Sequence, residues 1–330
     1  MSTKNFLQVD PEAEPTRLGT SVIVPSRGGA FRLPVLLNAL SQQNDQDFEV
    51  IVVVDGDIDG SAELLAGQEM RSLVPSLRVI DFGENRGRSA ALNAGHDAAQ
   101  GRVLIRCDDD LEPARDFIAL HRAAHADGPA GAIGLYRNVL PNTPYAHAYG
   151  RDADRLHSAS ALASPVDIQW RYWAGNVSVT RDTWELIGPY DEGYRRYGWE
   201  DVDYGYRLHR AGIPVRIHPE LTTDHHVAAT TTAIRARRAL HSGAARERFL
   251  QKFPEARPLM EGTPGRGPWN LAVRGLAAVS GENTYQRYGA VVDRLAKVLP
   301  TSVARKAIAL GVEAAGRTGI QHPERIQGRF

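Results

Sequence analysis

Three consecutive carboxylates, Asp108, Asp109 and Asp110, directly follow an apolar run at residues 103–107. Such a run is typical of a buried strand, so the acids are expected where the strand leaves its sheet. Ligands of open α/β sheets bind at the carboxyl ends of the strands. Burying crowded carboxylates is unfavourable unless a cation or hydrogen-bond donors compensate, and hard oxygen ligands favour Mg²⁺ or Mn²⁺. The alternative is an acidic turn that caps a helix near Glu112.

Residues that follow the earlier strands indicate a ligand with phosphates. Asp55 ends a second apolar run, where it is placed to accept hydrogen bonds at the sheet edge. Arg86, Gly87 and Arg88 precede a predicted helix. Glycine allows close backbone approach and arginines near a helix N-terminus suit a phosphate, although a turn with solvated arginines is the alternative. The first turn contains neither G-x-G-x-x-G nor a Walker lysine, which argues against NAD and P-loop chemistry.

A second acidic pair, Glu200 and Asp201, opens a predicted helix directly after Gly198 and Trp199. Acids in the first turn of a helix often only complement the helix dipole. A carboxylate at a rigid aromatic corner can instead take a proton from an attacking hydroxyl. The pair therefore provides a candidate general base.

Two adjacent histidines, His225 and His226, end a short predicted strand. Neighbours on a strand face opposite sides, so at most one of them can reach a given metal ion. A histidine pair alone is more often a packed or exposed feature. Its interpretation as a metal ligand depends on its combination with the acids.

The elements that position these residues alternate between strands and helices in the first half of the chain. Strands are predicted at residues 20–25, 49–55, 77–82, 102–107 and 130–136, with helices between them. This rhythm predicts an α/β fold with a mostly parallel sheet flanked by helices. Residues 137–170 lose the rhythm, which predicts a long functional loop or lid. Residues 229–330 are predicted to form a helical appendage.

Composition excludes several classes of protein. With 330 residues, 42% of them hydrophobic and 24% charged, the chain is typical of a globular protein. The single cysteine, Cys107, excludes an internal disulfide and a cysteine zinc cluster. Residues 1–18 lack the apolar segment of a signal peptide, and the chain has no run of about 18 apolar residues. We therefore expect a cytoplasmic protein.

The zero net charge conceals an asymmetry. Residues 229–330 contain 17 Lys and Arg against 7 Asp and Glu, so the remainder is acidic. A basic region after an acidic body indicates an anionic partner, such as the inner face of a membrane. A solvated helical face is the alternative.

In this order, the motifs resemble those of the family 2 glycosyltransferases, which have the GT-A fold. The matching segments read TSVIVPSR, EVIVVVDGDIDGS, NRGRSAALNAG, RVLIRCDDD, WAGNVSV, GWEDVDYGYRLHRAG and the histidine pair. The resemblance implies a flexible segment at residues 1–18, a GT-A catalytic domain at 19–228 and a helical C-terminal extension at 229–330. Within the catalytic domain, residues 19–136 would bind the nucleotide-sugar and residues 137–228 would face the acceptor.

The resemblance also implies a role for each motif. The residues that would contact the nucleotide donor are Pro25, Arg27, Asp55, Arg86, Gly87, Asp108 and Asp109. The ligands of Mn²⁺ or Mg²⁺ would be Asp110 and Asp108, with His225 or His226. The residues that would line the donor-sugar and acceptor pocket are Trp173, Gly175, Asn176 and Trp199. Asp201 would be the catalytic base, supported by Glu200.

The implied reaction is an inverting transfer of a sugar from a nucleoside-diphosphate sugar, with UDP favoured. The acceptor would be a hydroxyl of a carbohydrate, lipid-linked or small-molecule compound, and no nucleic acid would take part. The C-terminal helices would contact a membrane surface or a second copy of the chain. One alternative is nucleotidyltransfer to a sugar phosphate, suggested by the glycine and arginine residues at 26–32. The other is a non-catalytic carbohydrate-binding module on the same scaffold.

Overall fold

The computed structural model describes residues 18–195, 198–260 and 265–327, so nearly all of the segment predicted to be flexible lies outside the described residues. Within these ranges the strands are β1 (Thr20–Ser26), β2 (Phe48–Val54), β3 (Leu77–Asp81), β4 (Val103–Cys107), β5 (Leu111–Glu112), β6 (Gly131–Ile133), β7 (Tyr136–Asn138), β8 (Asn176–Thr180), β9 (Val215–Ile217) and β10 (Thr223–His225). The helices are α1 (Leu33–Ser41), α2 (Ser61–Ala66), α3 (Gln68–Leu73), α4 (Arg88–Ala98), α5 (Phe117–Ala123), α6 (Arg151–Leu162), α7 (Arg181–Ile187), α8 (Glu200–Arg210), α9 (Thr232–Lys252), α10 (Arg257–Met260), α11 (Pro268–Val279), α12 (Glu282–Leu295) and α13 (Thr301–Gln321).

A seven-stranded sheet with the order β3-β2-β1-β4-β8-β6-β9 forms the centre of the fold. Its neighbouring strands are parallel, except that β8 runs antiparallel to both β4 and β6. Alternate residues of β1 enter different cores, since Ile23 packs in one apolar cluster and Val22 and Val24 pack in the other. Helices that cover both faces explain why the parallel strands are apolar throughout. The predicted mostly parallel α/β architecture is confirmed.

A smaller sheet, β5-β10-β7, positions the first histidine of the pair. In its register His225 lies opposite Leu111 on one side and Asn138 on the other. Because Leu111 directly follows the aspartate triplet, this pairing brings His225 beside Asp110. The sequence predicted one strand at residues 130–136. The structure divides that segment between β6 and β7, which belong to different sheets.

The prediction of a long loop at residues 137–170 is wrong. The segment contains a one-turn π-helix (Ala146–Gly150) that continues into α6, followed by a 3₁₀-helix (Val166–Tyr172). Among the residues of α6 only Ala161 is buried. A helix that buries so little of its surface contains few large apolar residues, and regularly spaced apolar residues are the main signal for a helix in a sequence.

The C-terminal region is helical, as predicted, but its first helix packs into the body of the protein. Phe249 of α9 lies among aromatic rings of the body, with ring centroids 5.3 Å from Trp199 and 5.5 Å from Tyr206. Lys252 Nζ lies 2.6 Å from the buried carboxylate of Asp203 on α8. The domain boundary at residues 228/229 stays a prediction. Among the described residues, no helix is both long and apolar enough to span a membrane.

Two fully enclosed histidines are held in their neutral form. His96 stacks on Trp184 at a centroid distance of 4.1 Å. His121 lies between the side chains of Ser178, at 2.8 Å, and Asn176, at 3.1 Å. Burial lowers the pKa of His96 to about 4 and that of His121 to about 3.

The free energy of unfolding is therefore expected to fall as the pH drops below about 6.5, the usual pKa of histidine. The unfolded chain takes up protons at these imidazoles and the folded chain does not, which costs about 2 kcal/mol per imidazole at pH 5 relative to pH 7.5. Urea unfolding at both pH values measures the difference. His121→Gln should reduce it, whereas the exposed His209→Gln should leave it unchanged. Equal stabilities at both pH values would contradict the expectation.

Candidate active site

Asp109, the middle residue of the triplet, connects the ends of two central strands. Its carboxylate accepts hydrogen bonds from Ser26 Oγ at 2.6 Å and from Arg32 at 3.0 and 2.8 Å. Burial raises the pKa of Asp109, although the guanidinium of Arg32 opposes this. Both carboxylate oxygens are thus engaged within the protein.

Asp110, by contrast, keeps one carboxylate oxygen without a partner. Its Oδ2 lies 3.1 Å from His225 Nε2, while its buried Oδ1 has no hydrogen-bond partner among the described residues. His225 Nδ1 lies 2.6 Å from Asn138 Oδ1, and the amide of Asn138 donates to Asp154. His225 thus links Asp110 to Asn138, with each ring nitrogen at hydrogen-bond distance from an oxygen.

The buried guanidinium of Arg106, on β4, joins Asp108 to the candidate base. Arg106 is 1% exposed, its Nε donates to Asp108 Oδ1 at 3.0 Å, and its Nη1 donates to Asp201 Oδ1. Burial disfavours the charged form of Asp108, but Arg106 and Arg88 outweigh it and lower the pKa of that carboxyl. At Asp201 the balance differs: burial raises its pKa, and Arg106 and Arg88 only oppose that shift.

Glu200 points away from this pair, toward α4. Its Oε1 lies 3.5 Å from Arg88 Nη1, and its buried Oε2 has no hydrogen-bond partner among the described residues. Burial, together with the charge of Asp201, raises the pKa of Glu200 to about 7. Glu200 therefore holds a proton more readily than an ordinary glutamate does.

A strained corner fixes the start of α8. Trp199 has φ 72°, and it is the one non-glycine residue with positive φ in the described ranges. Its indole nitrogen donates to Ser242 Oγ on α9 at 2.9 Å, and its ring packs on Phe249. A left-handed conformation at a large residue persists only where the surroundings hold it. Helix α9 thus helps to hold the turn that orients Glu200 and Asp201.

Two cavities meet at the triplet. The smaller, of about 110 Å³, lies at the carboxyl ends of β1, β2 and β4 and is bordered by Pro25, Ser26, Arg27, Arg32, Asp55, Arg88, Ala91 and the three aspartates of the triplet. The larger, of about 380 Å³, is bordered by Gly175, Asp201 and His225 among others. Asp108, Asp110 and Arg88 border both cavities. The structure therefore brings together most of the residues that the motifs singled out.

Asp55 acts on the neighbouring loop as well as bordering the smaller cavity. Its carboxylate accepts hydrogen bonds from the backbone N–H groups of Arg86, at 2.6 Å, and Gly87, at 2.9 Å. The guanidinium of Arg86 turns outward, over the ring of Phe82 and 3.7 Å from Glu84. Gly87 has φ 97°, a conformation that suits glycine. Arg86 and Gly87 thus stand behind Asp55 and border neither cavity.

Three residues predicted to line the sugar pocket border neither cavity. Trp173 is 2% exposed and its indole nitrogen donates to the hydroxyl of Tyr190. Asn176 is fully buried, where its amide donates to Leu221 O at 2.8 Å. Trp199 packs on α9, as described above. Trp173 and Asn176 are buried and Trp199 is half-buried against α9, so the structure does not bring these side chains to either cavity.

Gly175, the remaining predicted residue of that pocket, borders the larger cavity beside Asp108. A Cβ at position 175 would lie 2.2 Å from the carboxylate of Asp108, so only glycine leaves room for that side chain. The backbone of Gly175 also accepts a hydrogen bond from the N–H of Asp108 at 2.9 Å.

Of the two histidines, the structure places only His225 at Asp110. The side chain of His226, the residue directly after β10, pairs instead with Glu112 at 2.7 Å, so the structure does not bring it to the carboxylate of Asp110. The N–H of His226 donates to the carbonyl of Asp110, which holds the two segments in register.

Family models match most of the region that builds this site. The model described as Glycosyl transferase family 2 matches residues 21–183, and the model described as the N-terminal domain of galactosyltransferase matches residues 154–229. The chain belongs to glycosyl transferase family 2. The predicted membership of this family is thereby confirmed.

Curated relatives of this family 2 chain include proteins named as glycosyltransferases. The uncharacterized glycosyltransferase YfnE of Bacillus subtilis (strain 168) is 27% identical over 253 residues, which are 62% of this chain and 64% of the relative. Validoxylamine A glucosyltransferase of Streptomyces hygroscopicus subsp. jinggangensis (strain 5008) is 28% identical over 228 residues, 61% of this chain and 53% of the relative. The chain thus spans between half and two thirds of the length of these relatives.

Solved structures share the fold of this family 2 chain. Mannosyltransferase PcManGT from Pyrobaculum calidifontis, in complex with GDP-Man and Mn²⁺, aligns with a TM-score of 0.61 and 22% identity over 96% of this chain and 90% of its own. S. aureus TarS 1-349 aligns with a TM-score of 0.52 and 14% identity over 93% of this chain and 91% of its own. At these identities the likeness shows the fold alone, and the predicted GT-A fold is confirmed.

The surroundings of Asp110 fit a divalent cation bound by a family 2 glycosyltransferase. The buried Oδ1 of Asp110 accepts no hydrogen bond from a described residue, and the imidazole of His225 lies beside the same carboxylate. Carboxylate oxygen and imidazole nitrogen suit Mn²⁺. Within the described ranges, no three His, Cys, Asp or Glu side chains converge as a metal site. A cation held by Asp110 and His225 would therefore need further ligands from the donor or from water.

Two arginines at the site were not among the predicted site residues. Arg106 is a charged residue within an otherwise apolar strand, and a buried charge in a core strand needs a partner. That pattern was a usable signal. Arg32 begins helix α1 as its N-cap and gave no comparable signal. Its role is visible only from its ion pair with Asp109.

Proposed function

We propose that this chain transfers a sugar from a nucleoside-diphosphate sugar to an acceptor hydroxyl, with inversion at the anomeric carbon. The observation that supports this most directly is the shared edge of the two cavities. Asp108 and Asp110 border both, while Asp201 borders only the larger. A donor in the smaller cavity would present its diphosphate at the triplet and its sugar toward the larger cavity, where the acceptor would lie near Asp201.

The smaller cavity suits the nucleotide. Pro25, Arg27 and Asp55 surround the space at the ends of the parallel strands, where ligands of α/β sheets bind. A UDP-sugar is our preferred donor. When bound by Asp110 and His225, Mn²⁺ or Mg²⁺ would act as a Lewis acid on the leaving diphosphate.

Asp201 is our candidate for the general base. Its Oδ1 accepts from Arg106, its Oδ2 accepts no hydrogen bond from a described residue, and the residue borders the larger cavity. Burial raises the pKa of Asp201, which makes the carboxylate a better proton acceptor, while Arg106 favours its ionised form. Oδ2 would take the proton of the acceptor hydroxyl as it attacks. Glu200 would support this role through its contact with the guanidinium of Arg88.

Replacing Asp110 by Asn tests the metal-dependent binding of the donor. We expect the affinity for a nucleotide-sugar to rise when Mn²⁺ is added to the wild type, and this gain to be lost in Asp110→Asn. The loss should reach at least the roughly 10- to 100-fold that follows removal of an outer-shell partner of a metal site. Titration calorimetry with UDP-, GDP- and ADP-sugars, with and without Mn²⁺, measures it.

The matched control for that titration is Glu112→Gln, which removes a nearby carboxylate that borders neither cavity. Its metal-dependent gain in affinity should equal that of the wild type. Equal donor affinity with and without Mn²⁺ in the wild type would refute the metal site.

We also propose a cytoplasmic setting, with contact to the inner face of a membrane through the C-terminal helices. These helices carry the excess of basic residues, α11 exposes Leu271 and Val279, and the turn between α12 and α13 exposes Val298. Basic residues beside exposed apolar ones favour an anionic lipid surface. Pairing with a second copy of the chain through the same helices is the competing proposal.

A further inference from the structure

The larger cavity has a wall that the C-terminal extension helps to build. Arg235 of α9 borders the same cavity as Asp201, together with Tyr145, His157 and Tyr172. The charge of Arg235 also acts on both Tyr145 and His157, so the three side chains share one electrostatic environment in this cavity. None of them borders the smaller cavity, where we place the nucleotide.

No described acid that borders this cavity forms an ion pair with Arg235. Asp108 and Asp201 are paired with Arg106, Asp110 lies beside His225, and Asp154 accepts a hydrogen bond from Asn138. The guanidinium of Arg235 has no hydrogen-bond or ion-pair partner among the described residues.

The neighbours of Arg235 are hydrogen-bonding groups held by packing. Tyr145 is 3% exposed and packs against Ile308 and Val312 of α13, yet its hydroxyl has no partner among the described residues. The ring of His157 packs edge-on against Tyr172 at 5.6 Å. A guanidinium, a phenol and an imidazole on one wall can meet the three oxygens of a phosphoryl group, whereas a carboxylate offers two.

We propose that Arg235, Tyr145 and His157 form an anion subsite for the acceptor. The acceptor therefore carries a phosphoryl group in addition to the hydroxyl that receives the sugar. This inference rests on the proposed function, because Asp201 identifies the larger cavity as the acceptor side. The diphosphate of the donor is not the occupant, since its place is at Asp110 and the smaller cavity.

The first test measures binding of a phosphomonoester while the donor side is filled. Glycerol 3-phosphate is titrated into the full chain saturated with Mg²⁺ and the best-bound of UDP, GDP and ADP, and its affinity is followed by ³¹P NMR. We expect saturable binding that weakens about tenfold in Arg235→Gln, the usual scale for loss of a charged hydrogen bond. Tyr145→Phe should weaken it by a smaller factor, and thermal unfolding checks that both variants are folded.

Arg287→Gln is the matched control, because it removes the same charge from an exposed position of α12 that borders neither cavity. Its affinity for glycerol 3-phosphate should equal that of the wild type. Equal loss in Arg235→Gln and Arg287→Gln, or no binding by a wild type that still binds the nucleotide, would overturn the subsite and leave the proposed function intact. Failure of the nucleotide itself to bind would count against both.

A second test separates a water-soluble acceptor from a lipid-borne one. The chain is sedimented with phosphatidylcholine vesicles that contain or lack phosphatidic acid, a lipid with a phosphomonoester head group. Sedimentation that needs both phosphatidic acid and Arg235 assigns a lipid-borne phosphate. Arg235-dependent binding of glycerol 3-phosphate without such sedimentation assigns a water-soluble acceptor. Insensitivity of both assays to Arg235 overturns the proposal.

Discussion

Asp201→Asn should lower kcat by about 10²- to 10⁴-fold, the usual contribution of a general base. The amide has nearly the shape of the carboxylate and accepts the hydrogen bond of Arg106 through its oxygen, but it cannot take the proton of the acceptor. The affinity for the nucleotide-sugar should stay within a few-fold of the wild type, because Asp201 borders only the larger cavity. Steady-state kinetics with an active donor and acceptor, together with calorimetry for the donor, give both values.

Asp97→Asn is the control for this prediction, since Asp97 is an exposed acid of α4 that borders neither cavity. Its kcat should be unchanged. If Asp201→Asn kept wild-type turnover, another group would have to be the base. Glu200 would be the first candidate, because burial and the charge of Asp201 raise its pKa to about 7.

Arg106→Met should produce the largest loss of stability among the variants considered. The substitution leaves Asp108 and Asp201 without the guanidinium that joins them, and removal of one partner of a buried ion pair costs about 3–5 kcal/mol. The double variant Arg106→Met with Asp201→Asn should lose less stability than Arg106→Met alone, because one stranded charge is gone. The control Arg102→Met, at an exposed position before the same strand, should change stability little. Urea unfolding of the wild type and the three variants measures these differences in stability.

Arg106→Lys separates positioning from folding. A lysine keeps the positive charge but cannot hold two carboxylates with a planar fork. Since Arg106 opposes the rise in the pKa of Asp201, a weaker contact should raise that pKa further. The acidic limb of the kcat/KM profile should therefore move to higher pH. An unchanged pH profile in a folded Arg106→Lys protein would show that Arg106 has no influence on the base.

The fold could be predicted from local pattern wherever burial determines the residues. The buried strands β1, β2 and β4 are short apolar runs, and their order with intervening helices determines a parallel sheet. Helix α6 was missed because little of it is buried. The division of residues 130–136 into β6 and β7 was missed because a change of sheet leaves no periodic signal.

The residues of the candidate site could likewise be predicted only in part. Asp55, Asp108 and Asp110 follow strands, so their convergence at one edge could be predicted. The choice between His225 and His226 could not, because it depends on the register of β10 against β5. Trp173 and Asn176 were misplaced for a similar reason: a sequence shows that a residue is near the site but not which way its side chain turns.

Helix α9 contributes to both the catalytic corner and the acceptor wall, and this has a consequence for chimaeric proteins. An exchange of residues 229–330 between family members would replace Arg235 together with Ser242, Phe249 and Lys252, which contact the corner at Trp199 and the carboxylate of Asp203. Such hybrids should inherit their acceptor preference from the parent that supplies the C-terminal region and their nucleotide preference from the other parent. They should fold well only where the two parents have compatible side chains at the contacts between α9 and the start of α8.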